Sequence, residues 1–155
     1  MSPPEVQMIS FRLFEAGDLK ECAALFIKVF NAEPWNDQWR SDSTAQYLSE
    51  FTINPLFRGF VATYSHKIVG VCFGHTRTYW QGKEFEIDEM YIDGEMQDKG
   101  IGTRLIDFMK ETLKGQGIRN YVLMTGKDMP AESFYKKNGF YRNDSIVLMN
   151  YKENS

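Results

Sequence analysis

Cysteine, histidine and long apolar runs are all scarce in this chain of 155 residues. The only cysteines, Cys22 and Cys72, both lie among apolar neighbours. They read as buried free thiols, not as a disulfide or a ligand pair. His66 and His75 have no second ligand at a useful spacing in the sequence, so metal catalysis is not expected. The longest apolar stretch, Ile68 to Gly74, falls far short of a membrane span. Met1 to Gln7 lacks the charged and apolar regions of a signal peptide, and cytoplasmic residence is the expectation. Basic patches are missing too. The formal net charge is −3, so nucleic acid is not an expected partner, and a cationic ligand is tolerated.

Hydrophobic residues make up 43% of the chain, enough for a folded globule. The length suits one domain over residues 1–155, with no repeats, linkers or low-complexity segments. Ile9 to Phe14 alternates as a first strand. Asp18 suits a helix N-cap, and Leu19, Cys22, Ala23, Phe26, Ile27 and Phe30 form an apolar helical face that Pro34 ends. A second helix starts near Asp42 or Ser43 and runs to about Phe51, before Asn54-Pro55. Gly59 to Tyr64 and Ile68 to Tyr79 read as a hairpin turning at Ser65-His66-Lys67, and Phe85 to Ile92 as a fourth strand. Ile101, Leu105, Met109 and Leu113 mark an amphipathic helix closing at Gly115-Gln116-Gly117. Tyr121 to Thr125 is a further strand, Pro130 opens a short helix that stops at Gly139, and Phe140–Tyr141 with Ile146–Tyr151 supply the last strands.

Between the fourth strand and the amphipathic helix stands Gln97-Asp98-Lys99-Gly100-Ile101-Gly102. A glycine-containing loop that feeds a helix N-terminus brings unpaired N–H groups and partial positive charge close to a ligand. That is a phosphate cradle. It is not a P-loop, because Lys99 precedes the glycine. It is not a dinucleotide fingerprint, because Leu105 stands at the third glycine position. The string Gln-x-x-Gly-x-Gly resembles the acetyl-CoA loop of the GNAT superfamily of N-acetyltransferases. Residues 128 to 140 are similar to the second signature of that family through Ala131, Phe134, Tyr135, Lys137, Gly139 and Phe140, with Asp128 where Asn is usual.

The resemblance implies an α/β (α+β) fold: a mixed, mostly antiparallel sheet of about seven strands flanked by four helices, splayed between strands 4 and 5. It implies acetyl-CoA as cosubstrate, its pantetheine arm pairing with the backbone of Met90, Tyr91 and Ile92. Its pyrophosphate would sit on the amides of Gln97, Asp98, Lys99, Gly100, Ile101, Gly102 and Thr103, with Asp128 and Tyr135 also at the cofactor. Tyr135 matches the tyrosine that approaches the thioester sulfur in this family, which makes it the candidate acid; packing on the buried helix face is its other reading.

Acetyl transfer to an amine needs an ammonium to lose a proton, a donor for the thioester oxygen and an acid for the thiolate. It needs no covalent nucleophile when both substrates bind together, which suits a chain with no Ser/His/Asp or Cys/His constellation. The fourth strand carries Glu84, Glu86, Asp88 and Glu89. Strict alternation puts Glu86, Asp88, Met90 and Ile92 on one face and Glu89 on the other. Histone-type members place a catalytic Glu where Glu86 falls, and Asp88 lies one pleat nearer the thioester. Each of the two is a candidate base; an acidic face that only attracts a cation is the alternative. Trp35, Trp39, Tyr79, Trp80 and Glu89 are the candidate acceptor-binding residues, since rings with carboxylates suit an amine; for Trp35 and Trp39 the other reading is a hydrophobic staple of the two short helices.

The expected activity is acetyl transfer to a primary amine of a small molecule, in a homodimer or a monomer. A protein lysine or N-terminal acetyltransferase is the second expectation. A CoA-binding regulatory module without turnover is the third, favoured by Asp128.

Overall fold

The computed structural model describes residues 8–154; the stretch 1–7, read above for a leader, lies outside them. Two compact units divide the chain, one ending at Met124 and one beginning at Thr125. Among the described residues no helix is long and apolar enough to cross a membrane.

The first unit is a five-stranded sheet in the order β1-β2-β3-β4-β5. Its strands are β1 (Ile9–Leu13), β2 (Phe57–Tyr64), β3 (Lys67–Tyr79), β4 (Gly82–Ile92) and β5 (Asn120–Leu123). Strands β1 to β4 pair antiparallel, and β5 joins β4 in parallel. The β2–β3 turn falls at Ser65 and His66, both with positive φ (49° and 66°). That is the turn whose twist matches its strands.

Helices α1 (Leu19–Phe30) and α2 (Ser41–Thr52) cover one face of the sheet. Cys22, Leu25, Phe26, Val29 and Leu48 pack there against Val61, Val71, Phe73 and Tyr91. Phe26 is the hub of an aromatic cluster, with Phe30, Trp39, Tyr47 and Tyr91 at ring distances of 4.5 to 5.7 Å. Its removal is a cavity change costing about 3–5 kcal/mol. Asp18 does not cap α1 with its side chain. Its carboxylate accepts instead from Arg12 (2.8 and 3.0 Å) and from the Glu15 amide.

Helix α3 (Ile101–Lys114) covers the opposite face. Met109 meets Cys72 at 3.8 Å, Phe108 stacks edge-on to Phe60, and Leu105 lies beside Gly70 and Ile92. Cys22 and Cys72 are buried free thiols, and burial pushes both up to about 12.

The second unit contains α4 (Pro130–Lys137) and, among the described residues, no strand. The expectation of about seven strands is therefore corrected to five. Strand propensity at Phe140–Tyr141 and Ile146–Tyr151 makes a strand only where a ladder receives it. Here Asn143 bends the chain through its side chain and carbonyl, to Ser145 and Ile146. Tyr141, Ile146, Val147, Leu148, Met149 and Tyr151 are exposed.

Candidate active site

Strand β4 is irregular at its centre. Its register with β3 runs Gly74↔Ile87 and then Phe73↔Glu89, so Asp88 is an extra residue opposite no partner. Such a β-bulge breaks strict alternation. The partners of Glu86 and Glu89 are His75 and Phe73, two positions on the α1/α2 face. Met90 and Ile92 pair with Cys72 and Gly70, on the α3 face. The expected face of Glu86, Asp88, Met90 and Ile92 is therefore corrected. Glu86, Asp88 and Glu89 share one side, and Met90 and Ile92 share the other. Gly74 sits against the bulge, where a Cβ would meet the Glu86 carbonyl at 2.3 Å and the Phe85 ring at 2.4 Å. Only glycine allows that approach.

His75 lies between the first two carboxylates. Its Nδ1 is 2.8 Å from Asp88 Oδ2 and its Nε2 is 3.2 Å from Glu86 Oε2. The spacing argument gave His75 no second ligand. The hairpin supplies two, in three side chains that are 18 to 25% exposed. Each ring nitrogen faces a different carboxylate, so the ring bridges the pair.

Glu89 has a different partner. The Tyr47 hydroxyl, from α2, donates to Glu89 Oε1 in a short hydrogen bond. Burial pushes the Glu89 carboxyl up to about 7; the Tyr47 hydrogen bond pulls the other way and the nearby Asp88 charge adds to the rise. Burial also raises Tyr47 well above a phenol's ordinary value. Tyr47 was not among the residues singled out from the sequence. A tyrosine next to Leu48 on an amphipathic helix reads as core, and its partner is 42 positions away.

Trp39 extends the wall beside Tyr47, at 5.0 Å between rings. Asn31 fixes the loop that carries it, accepting from the Trp39 amide (2.9 Å) and donating to its carbonyl (3.0 Å). Trp35 packs on Phe30. Tyr79 and Trp80 sit instead at the tip of the β3–β4 ribbon, 56% and 82% exposed. The ribbon outruns β2, whose pairing ends at Phe57↔His75.

The end of β4 leads into the glycine loop. The parallel pairing of β5 stops at Ile87↔Leu123, so among the described residues no strand pairs with Asp88 to Ile92 on that side. Tyr91 turns inward, its hydroxyl donating to the Cys22 carbonyl at 2.8 Å. Asp93, 2% exposed, closes the strand with an ion pair to Lys28 at 3.0 Å. The Gln97 side chain folds back to the Ile92 carbonyl (3.1 Å). Asp98 (φ 61°) and Gly100 (φ 78°) then adopt the left-handed conformation that turns successive N–H groups to one side. No side chain caps α3 and no acidic residue lies in its first turn, so the opening N–H groups of Ile101, Gly102 and Thr103 have no internal anion. A Cβ on Gly100 would meet no protein atom within 4 Å, so the space above it is open. The loop fits a phosphate.

In the second unit, Tyr135 is 9% exposed and packs against Phe134 and Phe140. Asp128 (φ 62°) accepts from Arg142 at 2.9 Å. Arg142 also grips Glu132 and holds it at about 2, and Glu132 in turn accepts from the Asp128 amide at 2.7 Å. The carboxylate at 128 is thus tied into an Arg142–Glu132 network.

The sequence profile of the Acetyltransferase (GNAT) family matches residues 20–140. The chain belongs to that family. No curated protein matches it. Among solved structures it is similar to the aminoglycoside acetyltransferase meta-AAC0020 from an uncultured soil metagenomic sample, determined with sisomicin. That likeness has a TM-score of 0.74 and 20% identity, covering 96% of this chain and 98% of that one. A possible acetyltransferase from Clostridium difficile 630 superposes with a TM-score of 0.79 at 19% identity, over 96% and 99% of the two chains. A predicted acetyltransferase from Clostridium acetobutylicum, solved with acetyl-CoA, gives 0.70 at 20% identity, over 92% and 96%. At these identities the likeness shows the fold.

Proposed function

We propose that this chain is an acetyl-CoA-dependent N-acetyltransferase that modifies a primary amine on a small cationic molecule, by direct attack in a ternary complex. The observation that carries this reading is the bulged, acidic face of β4. It gathers three part-buried carboxylates, two at His75 and one bonded to Tyr47 of the Trp39–Tyr47 wall, on the strand that precedes an uncapped glycine loop. Carboxylates and rings together suit an ammonium group, and the loop's N–H groups suit a pyrophosphate.

The cofactor contributes an acyl thioester. On this reading the N–H groups of residues 97–103 bind its pyrophosphate, and the free edge of β4 from Met90 to Ile92 pairs with its extended arm. Glu86, Asp88 and Glu89 attract the ammonium and take its proton. Trp35 and Trp39 exclude water from one side. Tyr79 and Trp80, at the ribbon tip, suit the far end of a long acceptor. Tyr135 supplies the proton for the departing thiolate. Asp128 does not argue for a module without turnover, since Arg142 balances its charge.

The test has two readouts. CoA should raise the melting temperature of the parent, because a ligand that binds only the folded state stabilises it by mass action. Gly100→Val should remove most of that rise, because a branched residue does not hold the left-handed backbone that shapes the cradle. Free-thiol release from acetyl-CoA is then followed with sisomicin, spermidine and glucosamine as acceptors. Turnover with at least one is expected. Equal thermal shifts in parent and variant would dismiss the cradle, and no thiol release with any amine would dismiss the acetyltransferase reading.

A further inference from the structure

The β3–β4 hairpin brings one histidine and two carboxylates together. His75 stands opposite Glu86 in the register, and Asp88 is the extra residue of the bulge. One donor atom from each of the three lies within 4.8 Å of the other two. Among the described residues, no other trio of histidine, cysteine or acidic side chains comes so close. All three side chains are 18 to 25% exposed, and all three stand on paired strands. The site is therefore held by sheet hydrogen bonds and still open to an entering ion.

The ring distinguishes this set from a cluster of acids. Nδ1 is 2.8 Å from Asp88 Oδ2, and Nε2 is 3.2 Å from Glu86 Oε2. A neutral imidazole carries a proton on one nitrogen and a lone pair on the other. Whichever nitrogen holds the lone pair, a carboxylate oxygen faces it. A cation, whether proton or metal ion, is what joins two such atoms. A histidine that ligates a metal is normally oriented by a carboxylate on its other nitrogen, and either way round His75 has one. A tetrahedral zinc ion, with bonds of about 2.1 Å, spaces its ligand atoms about 3.4 Å apart. The trio, already within 4.8 Å, reaches that spacing through side-chain rotation alone. Imidazole with carboxylates selects a divalent transition ion over calcium or magnesium, which take oxygen ligands. Three protein ligands leave a fourth position for water.

We propose that His75, Glu86 and Asp88 bind a zinc ion, and that this ion excludes the amine acceptor by taking the carboxylates that would hold its ammonium group. The exclusion rests on the acetyltransferase reading above; the site itself does not. Two positive charges placed on the acidic face of β4 turn it from one that attracts a cation into one that repels it. The ion is thus a competitor of the acceptor. It takes no part in the transfer, and no bond of either substrate is made or broken through it.

The experiment starts from tag-free protein freed of metal by a chelator. Zinc chloride is titrated by calorimetry into the parent, His75→Gln, Glu86→Gln and His66→Asn. The parent should bind one zinc per chain. His75→Gln and Glu86→Gln should each weaken binding by more than the roughly 10- to 100-fold lost when only an outer-shell partner is removed. His66, the other histidine, lies in the β2–β3 turn, and His66→Asn should bind zinc as the parent does. Circular dichroism melts check that each variant is folded, and Glu86→Gln, the closer match in shape, decides the case if His75→Gln is not. Initial rates with sisomicin, spermidine and glucosamine are then read as acetylated product by mass spectrometry, because the released thiol itself binds zinc. Zinc should raise KM for the acceptor, leave kcat unchanged and be reversed by EDTA. In His75→Gln the zinc needed for the same rise should increase in step with the lost affinity. A parent that binds no zinc, or zinc binding that survives in both folded variants, overturns the site. Zinc bound with KM unmoved, or activity lost to EDTA and restored by zinc, overturns the exclusion. A parent inactive on every amine would instead remove the acetyltransferase reading, while the calorimetry still decides the site.

Discussion

Neutralising Glu89 should stabilise the protein, with the gain growing between pH 4.5 and about 7 and level above that. Burial raises this carboxyl from an ordinary 4.5 to about 7 in the folded state. The folded chain therefore binds the proton more tightly than the unfolded one. The resulting stability is complete below pH 4.5 and is lost as pH rises through about 7. The gap between the two values corresponds to about 3 kcal/mol, and because the side chain is only part-buried the expected loss is about 2–3 kcal/mol. Glutamine has the same shape, carries no charge at any pH and still accepts from Tyr47. Glu89→Gln and parent should thus unfold with nearly equal free energy at pH 4.5. By pH 8.5 the variant should be more stable by about 2–3 kcal/mol, roughly 4–12 °C in Tm for a chain of this size. Urea titrations followed by far-UV circular dichroism across that range measure the difference, and every other titrating group is common to both proteins. A difference that stays flat with pH, or grows toward acid, would refute the claim that Glu89 is buried as an uncompensated charge.

Gly74→Ala should destabilise the first unit by about 1–3 kcal/mol, visible as a drop of roughly 2–12 °C in Tm, because the new methyl meets backbone at the bulge and cannot be accommodated by a rotamer; an unchanged melting curve would remove the bulge as a constraint. Tyr135→Phe should lower kcat by about ten- to a thousandfold with little change in CoA affinity, the scale of a lost general acid; an unaltered kcat would assign Tyr135 to packing.

Much of the first unit was legible in the sequence because local chemistry fixes it. The helix over Ile101–Lys114 follows from its apolar repeat, and the Ser65–His66 turn follows from the strands on either side. The glycine loop was legible for the same reason: left-handed backbone at Gly100 is a property of one residue. What escaped depends on partners far along the chain. The bulge is a register shift between β3 and β4, and nothing in Ile87-Asp88-Glu89 announces an extra residue. His75 acquires its carboxylates only through the hairpin, and Glu89 acquires Tyr47 only when α2 docks on the sheet. Glu86 and Asp88 were accordingly placed on the face of Met90 and Ile92, away from Glu89. The C-terminal strands failed in the opposite sense: Ile146–Tyr151 carries strand-forming residues, but a strand exists only with a partner.

The bulge at Asp88 also makes the charge of this site a matter of chain length. A regular strand of four residues shows two side chains on one face; β4 shows three acids there within Glu86 to Glu89. The third enters without displacing a neighbour, since Ile87 stays opposite Gly74 and Met90 stays opposite Cys72. Excision of Asp88 alone would leave the apolar residues on both sides in register and Glu86 and Glu89 on their present face. One negative charge can therefore be gained or lost by a single-codon insertion or deletion, without altering the residues that form either half of the core. Length changes at this position are thus a route by which the charge of this face can be retuned.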